Sequence, residues 1–296
     1  AVTAKVVIDA TGDGDVAARA GCRYELGRPS DGLLQPMTLM FEVRGLGDWE
    51  MNDARVLYDA MAEAIEHEKI DFELPFPRVK YAPWIITVPA RGAADVQLTH
   101  VYRLNTLDPA DLTRGTIDAR RQVHKAMEVL RHVPGLEGIE LVQTAPQIGI
   151  REGRRIRGRH WLTLAELQAG CTFPDSVASC GFVVDIHEPD PRVGTPPKQL
   201  ARIQPYEIPY RSLVAEDVRG LLTAGRCISG SHEAHASYRV TGTCAATGQA
   251  AGLAAAWATA DSLDLQDVPG ERLRAALAER GAKFLDSGMR MSVPEA

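Results

Sequence analysis

Apolar and polar positions along the chain form distinct strand, turn and helix patterns. Short apolar runs at residues 6–8 and 221–223 each lead into a polar turn that contains glycine, which predicts two buried strands ending in tight turns. Residues 241–260 are mostly alanine and glycine, which predicts a helix that a flat ligand or another backbone can approach. Its Gly248 and Gly252 predict close packing of this helix against a sheet.

The middle of the chain has a different pattern. Residues 35–45 are rich in strand formers, and residues 52–68 show the apolar spacing of a helix. Residues 84–89 and 96–104 predict two strands, joined as a hairpin by a turn at residues 91–95. We expect a separate α+β domain here.

Two further helices have clear start signals. Asp108 and Pro109 predict an N-cap and a first-turn proline, and Pro134 with Gly135 ends that helix. A last amphipathic helix is predicted after Pro269. Between them, residues 172–204 are rich in Pro, Asp and Gly, which predicts a long surface loop that either borders a site or only connects elements.

The composition is typical of a globular enzyme and limits the classes of binding partner that are expected. The 296 residues are 45% hydrophobic and 24% charged, with a net charge of −6 and no continuous basic stripe, so nucleic acid is not an expected partner. A small molecule is expected instead. The longest apolar stretch, residues 245–260, is interrupted by polar side chains and does not predict a membrane helix. The five cysteines show no metal spacing, and no signal peptide is visible, so we expect a cytoplasmic protein.

Four segments together carry a family resemblance: residues 4–21, with an ATG turn, residues 146–167, rich in arginine, residues 206–213, and residues 220–257. They resemble, in the same order, the FAD-dependent oxidoreductase family with a glutathione-reductase-like FAD domain. The resemblance implies an α/β fold with FAD as cofactor. It also implies an FAD-binding domain at residues 1–33 and 205–262, an inserted α+β substrate domain at residues 34–204 and a C-terminal helical segment at residues 263–296.

One departure from the family pattern concerns the N-terminus. In the family, a strand and a G-x-G-x-x-G turn come far upstream of the ATG turn. In this sequence the ATG turn, with Thr11, lies at the beginning of the chain. The chain therefore looks like the C-terminal part of a larger flavoprotein, arising by truncation, processing or a split gene. An N-terminal partner chain that completes the FAD site is one expectation.

The resemblance implies roles for particular residues. Thr11 and Gly12 would lie near the FAD diphosphate, and Gly225 with Arg226 would meet the diphosphate and ribityl chain. The remaining implied FAD contacts are the amides of Thr241, Gly242 and Thr243 at the pyrimidine edge of the flavin, Arg239 beside it, and Arg151 and Arg155 toward FAD or an anionic substrate. Arg226 has the alternative of binding a carboxylate of its own fold.

Residues 232–239 are predicted to form a loop beside the flavin and contain the catalytic candidates. Hydride transfer from a small organic substrate leaves a proton to be accepted, and a neutral imidazole suits that task near pH 7. His232 is the first candidate and His235 the second. The alternative for each is a histidine that only hydrogen-bonds its surroundings.

Other functions remain open at this stage. Residues 12–17 satisfy G-x-G-x-x-A, the fingerprint of an NAD-dependent dehydrogenase, but Gly21 ends the helical pattern early and Glu25 arrives too soon for the ribose-binding acid, which lies about 20 residues on. A non-catalytic or complementing subunit of a split flavoprotein is a further alternative.

Metal and redox-disulfide sites are not expected. Asp9, Asp13 and Asp15 lack the spacing of a calcium loop, and His232 with His235 lacks the four-residue spacing of a zinc helix. Cys227 and Cys244 flank the predicted site without the C-x-x-C pairing of disulfide reductases, so we expect small buried residues.

Overall fold

The computed structural model describes residues 3–47, 49, 54–75, 85–88, 93–190, 192 and 202–285. Its strands in chain order are β1 (Val7–Asp9), β2 (Tyr24–Glu25), β3 (Phe41–Arg44), β4 (Ile85–Val88), β5 (Ala93–Val96), β6 (Glu140–Thr144), β7 (Arg155–Ile156), β8 (Ser176–Cys180), β9 (Tyr206–Pro209) and β10 (Leu221–Thr223). Its helices are α1 (Asp15–Arg19), α2 (Ala54–Glu68), α3 (Pro109–Arg131), α4 (Leu164–Ala169), α5 (His232–Tyr238), α6 (Thr241–Ala260) and α7 (Gly270–Glu279).

The chain divides into two compact units. The first unit comprises Ala1–Gly32, Glu152–Ile186 and Pro197–Ala296, and the second comprises Leu33–Arg151 and His187–Pro196. Helices mixed with small sheets agree with the predicted α/β class. The assignment of an FAD-binding domain and a substrate domain stays a prediction.

Small sheets and helix α6 organise the first unit. Strand β1 pairs in parallel with β10, and β8 pairs antiparallel with β9. The predicted strands at residues 6–8 and 221–223 and the predicted helix at residues 241–260 are confirmed. The core lies where α6, α7, β8 and β9 bring their apolar side chains together.

The predicted packing of the α6 glycines is wrong. A Cβ added at Gly248 or Gly252 would meet no described atom within 4 Å, and both glycines are exposed. The buried face consists instead of alanines and two threonines: Thr243, Thr247, Ala250, Ala251, Ala254, Ala255 and Ala258. Alanine is small enough for close packing and is the best helix former, so the interior face does not need glycine.

An antiparallel sheet with strand order β4-β5-β3-β6 forms the second unit, together with helices α2 and α3. The helix that starts at Pro109 is confirmed, and the Asp108 side chain caps it by accepting a hydrogen bond from the Ala110 amide at 2.9 Å. The hairpin is confirmed as well, but its second strand is Ala93–Val96 and not residues 96–104. Pairing on both sides buries Ala94 and Val96 in the core, which fixes this earlier register.

The predicted surface loop at residues 172–204 is wrong in two places. Its first part contains strand β8, whose Val177, Ala178 and Cys180 are buried because small and β-branched residues pair well with β9. Farther on, Glu188 and Asp190 are buried in the second unit. Residues 191 and 193–201 lie outside the described residues.

Within the described ranges, no helix has both the length and the apolar character that crossing a membrane requires.

Candidate functional site

A buried carboxylate builds the turn that follows β1. Asp9 is fully buried and accepts hydrogen bonds from the Thr11 amide (3.0 Å), the Thr11 hydroxyl (2.7 Å) and the Ala17 amide (2.7 Å). The Ala17 amide belongs to the first turn of α1, where an acceptor satisfies an otherwise unpaired donor. Asp9 therefore fixes both the turn and the start of the helix.

Gly12 lies against an arginine from a distant part of the sequence. Its φ of +83° favours glycine, and an added Cβ would lie 2.8 Å from Arg226 Nη1. The same guanidinium donates to Asp13 at 2.7 Å, so the structure pairs Arg226 with a carboxylate of its own fold. The predicted contact residues Thr11, Gly12 and Arg226 are thus brought together at one turn.

Gly225 adjoins the same turn after β10. Its φ is +84°, and its amide donates to the hydroxyl of Thr247 on α6 at 3.1 Å. An added Cβ would approach only Cys244, at 3.9 Å, so the glycine is required by its backbone conformation and not by crowding within the fold.

The N-terminus of α6 presents exposed backbone. Thr241 and Gly242 are exposed and Thr243 is buried, and the N-cap residue Val240 provides no side-chain acceptor for the first turn. A Cβ at Gly242 would meet no described atom within 4 Å. Amides at the start of a 20-residue helix carry partial positive charge, and an anion or an electron-rich ring edge is favoured in front of them.

Four buried ionisable residues, which we name the Glu152 cluster, lie in the first unit: Glu152, Arg155, His232 and His235. One oxygen of Glu152 accepts from Arg155 Nη1 at 2.5 Å and lies 2.9 Å from Nδ1 of His232. Arg155 also donates to the Gly27 carbonyl at 2.9 Å. The predicted FAD contact Arg155 and the predicted catalytic His232 therefore meet at one carboxylate.

His232 keeps one ring nitrogen without a partner. Its side chain is only 2% exposed, and Nε2 has no hydrogen-bond partner among the described residues. A ring nitrogen that has lost water and found no protein partner is costly unless a ligand contacts it. Both ring nitrogens of the neighbouring His235 are likewise without a partner among the described residues, and these atoms together indicate a ligand position in the first unit.

The predicted loop around His232 is in fact helix α5. Ser231 caps it, because its side chain accepts from the Ala234 amide at 3.2 Å, and the cap allows the following seven residues to form a short helix. His235 lies on this helix, fully buried. Burial lowers the pKa of His235 well below its ordinary value, and the positive charges of Arg239 and Arg155 lower it further.

The two remaining predicted arginines lie in different units. Arg239 ends α5 in the first unit, where Nη2 donates to the carbonyl of Asp185 at 2.8 Å. Burial lowers the pKa of Arg239, and the charge of Asp185 opposes that shift. Arg151 belongs to the second unit, where Nη1 donates to the Pro36 carbonyl at 2.8 Å and to the Thr38 hydroxyl at 2.5 Å.

The two cysteines near the turn are free thiols. Cys227 is buried, and burial together with the nearby Asp9 raises its pKa to about 12. Cys244 is half-buried, and burial raises its pKa too. Both thiols are therefore protonated near pH 7 and are poor nucleophiles.

Side chains of the fold occupy the space beside the two glycines of the G-x-G-x-x-A pattern. An added Cβ at Gly14 would lie 2.7 Å from the Ile156 side chain, just as the one at Gly12 would meet Arg226. Helix α1 spans only Asp15–Arg19. The space that a dinucleotide needs beside such glycines is occupied here by protein atoms.

Sequence reasoning missed three residues of this region. The sequence suggests Asp9 and Asp13 only as calcium ligands and does not single out Glu152. An aspartate directly after an apolar strand and a glutamate three residues before an arginine are the available signals, although neither identifies the partner across the fold.

The residues of the first unit fit a large anionic cofactor with a flat ring. Exposed amides at the start of α6, the open space at Gly242 and the positive-φ turn at Gly225 allow close backbone approach. The arginine of the turn and the unpartnered nitrogen of His232 add charge and a polar contact. These donors suit a diphosphate and an electron-accepting ring.

Comparison with known families agrees with this chemistry. A family model described as FAD dependent oxidoreductase matches residues 1–277. Searches of curated proteins and of solved structures gave no match. Because the match extends over nearly the whole chain, the protein belongs to the FAD dependent oxidoreductase family and uses FAD as its cofactor.

Proposed function

We propose that the protein oxidises a small organic substrate by hydride transfer, with His232 accepting the proton that the substrate loses. The observation that carries the proposal is the unpartnered, buried Nε2 of His232, whose other nitrogen is held by Glu152. When Nδ1 carries the hydrogen and donates it to Glu152, Nε2 has a free lone pair. That is the tautomer a proton acceptor needs.

Glu152 and Arg155 act as positioning residues for this imidazole. The carboxylate orients the ring and stabilises the imidazolium that forms after proton transfer. Arg155 binds the same carboxylate oxygen at 2.5 Å, which fixes Glu152 in a buried location.

His235 is less suited to accept a proton. Burial and the neighbouring arginines Arg239 and Arg155 disfavour its charged form, as its lowered pKa indicates. We propose that it stays neutral throughout and lines the site.

Bound FAD would supply the hydride acceptor. The amides of Thr241, Gly242 and Thr243 would face the ring edge where negative charge develops on reduction. Gly225 would allow the diphosphate to approach the backbone, and Arg226, which fills the space beside Gly12, would share its guanidinium between Asp13 and a phosphate oxygen.

The finer architecture is proposed on the same basis. We assign a glutathione-reductase-like FAD-binding domain to the first unit, which adds residues 152–186 to the predicted 1–33 and 205–262 and includes the helical addition at residues 263–296. We assign the inserted substrate domain to the second unit. The parallel pairing of β1 with β10, each followed by a glycine turn, supports the first assignment.

A second candidate function, that of one half of a two-part flavoprotein, is favoured by the edge of β1. Val7 and Ile8 are 38% and 37% exposed, and among the described strands β1 pairs only with β10. Parallel sheets are normally covered on both faces. We propose that a strand from an N-terminal partner segment, carrying its own glycine-rich turn, adds to β1 and completes the FAD site.

An absorption spectrum of the purified protein between about 350 and 500 nm, where bound flavin absorbs, tests the cofactor assignment. Acid release of the chromophore identifies the flavin. Gly242→Val is expected to lose the flavin, because the side chain would fill the space in front of the α6 amides. Gly252→Val is the matched control, since its Cβ also meets open space on the same helix, and it is expected to retain flavin.

The outcomes separate the two candidates. Flavin bands from this chain alone support the complete-site proposal. A colourless protein that turns yellow only when a partner segment is added supports the two-part proposal. A protein that never binds flavin, with or without the segment, overturns the proposed function.

A further inference from the structure

A hydrogen-bonded chain of three titratable side chains runs through the second unit. The hydroxyl of Tyr102 lies 3.0 Å from Nδ1 of His100, and Nε2 of His100 lies 3.2 Å from Nδ1 of His187. The neighbouring rings meet edge to face, with centroids 5.6 and 5.0 Å apart. Each link is within hydrogen-bonding distance.

We propose that Tyr102, His100 and His187 form a proton relay, which we name the His100 relay, between a ligand oxygen at Tyr102 and solvent at His187. This inference goes beyond the proposed function, because it uses none of the groups of the first unit. Its ligand class is a small neutral carbonyl or hydroxyl compound.

Burial differs along the relay in the way that proton conduction requires. His100 is only 5% exposed, whereas Tyr102 and His187 at the two ends are half-buried. Water reaches the ends and is kept from the middle. A proton that crosses this part of the second unit therefore passes through the His100 ring.

The electrostatic surroundings keep His100 from storing the proton. Burial lowers its pKa well below the ordinary value, and the positive charges of Arg151 and His187 lower it further. A hydrogen bond from the ring to the Pro75 carbonyl opposes these effects. Burial, with Glu73 as the next cause, raises the pKa of Tyr102 to about 12, so the phenol stays protonated. A neutral imidazole can accept at one nitrogen while it donates from the other.

Two glutamines hold the relay backbone in place. The Gln122 side chain accepts from the His100 amide at 2.8 Å and donates to the His100 carbonyl at 2.8 Å. The Gln35 side chain accepts from the His187 amide at 3.0 Å. Fixed main chains keep the three links within hydrogen-bonding distance, and the relay is therefore preorganised.

The proton balance is simple in both directions. When a ligand oxygen gains a proton, the Tyr102 O–H bond breaks, Tyr102 takes the hydrogen of His100, and His100 takes the Nδ1 hydrogen of protonated His187. The net change is one N–H bond lost at His187 and one O–H bond formed on the ligand. Loss of a ligand proton is the reverse, and no electrons are exchanged.

Two carboxylates and one guanidinium act on the phenol at the ligand end. Glu73 and Glu188 raise the pKa of Tyr102, while Arg151 lowers it. A neutral phenol donor among opposing charges suits the oxygen of a neutral ligand better than a free anion.

The test is NMR of the ¹⁵N-labelled full chain without flavin, so that failure of the proposed function does not affect it. We expect His100 to stay neutral from pH 6 to 8.5, with a scalar coupling across the hydrogen bond to His187 and saturation transfer from water to its ring hydrogen. His187→Gln should lose both signals. His124→Gln, at an exposed position of α3, is the matched control and should keep them.

Hydroxyacetone is the probe for the ligand end. It should shift the ring signals of His187 in the parent and in a Tyr58→Phe control, and should not do so in Tyr102→Phe. Three results would overturn the relay: a missing coupling between the two imidazoles, unchanged saturation transfer in His187→Gln, or a hydroxyacetone response that survives in Tyr102→Phe. If hydroxyacetone produces no shift in the parent, the carbonyl ligand class is wrong.

Discussion

Each unit of this protein buries histidines, but the neighbours of those histidines differ in charge. In the Glu152 cluster, His232 contacts a carboxylate that an arginine also binds, so opposite charges are concentrated around one oxygen. In the His100 relay, the imidazole contacts a phenol and a second imidazole. Ionic partners fix a proton on one nitrogen, whereas a phenol and a neutral imidazole place no full charge beside the ring. The same side chain is thereby suited to two different tasks.

The largest expected effect comes from removing the negative charge of the Glu152 cluster. Glu152→Gln should lower the free energy of unfolding by about 3–5 kcal/mol, because it removes the nearer and fully buried counter-charge of Arg155 and leaves only Glu25, at 3.8 Å. Chemical denaturation monitored by circular dichroism measures this loss. Glu128→Gln, in an exposed pair on α3, should leave the midpoint unchanged. A loss below about 1 kcal/mol would mean that charge compensation does not hold this cluster together.

The next effect concerns the unpartnered nitrogen of His232. His232→Ala should slow flavin reduction by about 100-fold or more while FAD stays bound, because a positioned proton acceptor contributes about that factor. Stopped-flow absorbance, with any substrate that bleaches the flavin, measures the rate. His124→Ala serves as the control. An unchanged rate in His232→Ala removes this imidazole from the mechanism.

A smaller effect should follow from releasing the backbone of the relay. Gln122→Met removes two hydrogen bonds to His100, and we expect a loss of about 1–3 kcal/mol because the buried amide and carbonyl are left unpaired. Urea unfolding measures it. Gln143→Met changes an exposed glutamine of β6 and should have little effect. If the two variants were equal, the Gln122 side chain would contribute nothing to fixing His100.

The smallest effect, counted for one histidine over one pH unit, is a pH dependence that both units share. Burial lowers the folded-state pKa of His100 and of His235 below their ordinary value of 6.5, so the unfolded chain binds more protons as the pH falls below that value. Stability is therefore fully present above about pH 6.5, and each histidine removes up to about 1.4 kcal/mol per pH unit below it.

Unfolding midpoints between pH 5 and 8 measure this dependence. His100→Gln and His235→Gln should each reduce the slope on the acid side, and His124→Gln is the exposed control. A parent slope that stays flat through pH 5 would show that neither buried imidazole remains neutral in the folded protein.

Local signals in the sequence were sufficient for much of the first unit. An apolar triplet before a glycine turn and a run of alanine and glycine predicted β10 and α6 correctly, because short-range sterics decide both. The polar composition of residues 232–239 predicted a loop, but the structure has a helix there that begins at the N-cap Ser231. The contacts of Glu152 and Arg226 with residues far away in sequence left no local signal at all.

The second unit was predicted less well for the same reason. The hairpin was correct, but its second strand was placed several residues too late, because pairing with β3 and β4, and not local composition, sets the register. The sequence does not predict the His100 relay. His100 and His187 are 87 residues apart, and the sequence around either residue does not indicate that the two imidazoles are in contact.

The open edge of β1 has a practical consequence for handling this chain. Among the described strands β1 pairs only with β10, and Val7 and Ile8 are exposed, so the second edge of β1 can accept another strand. In concentrated preparations, two copies should associate edge to edge, and light scattering should rise with protein concentration. A lysine at residue 8 would block such self-association, as charged side chains do on natural sheet edges, and would give a chain better suited to storage and spectroscopy.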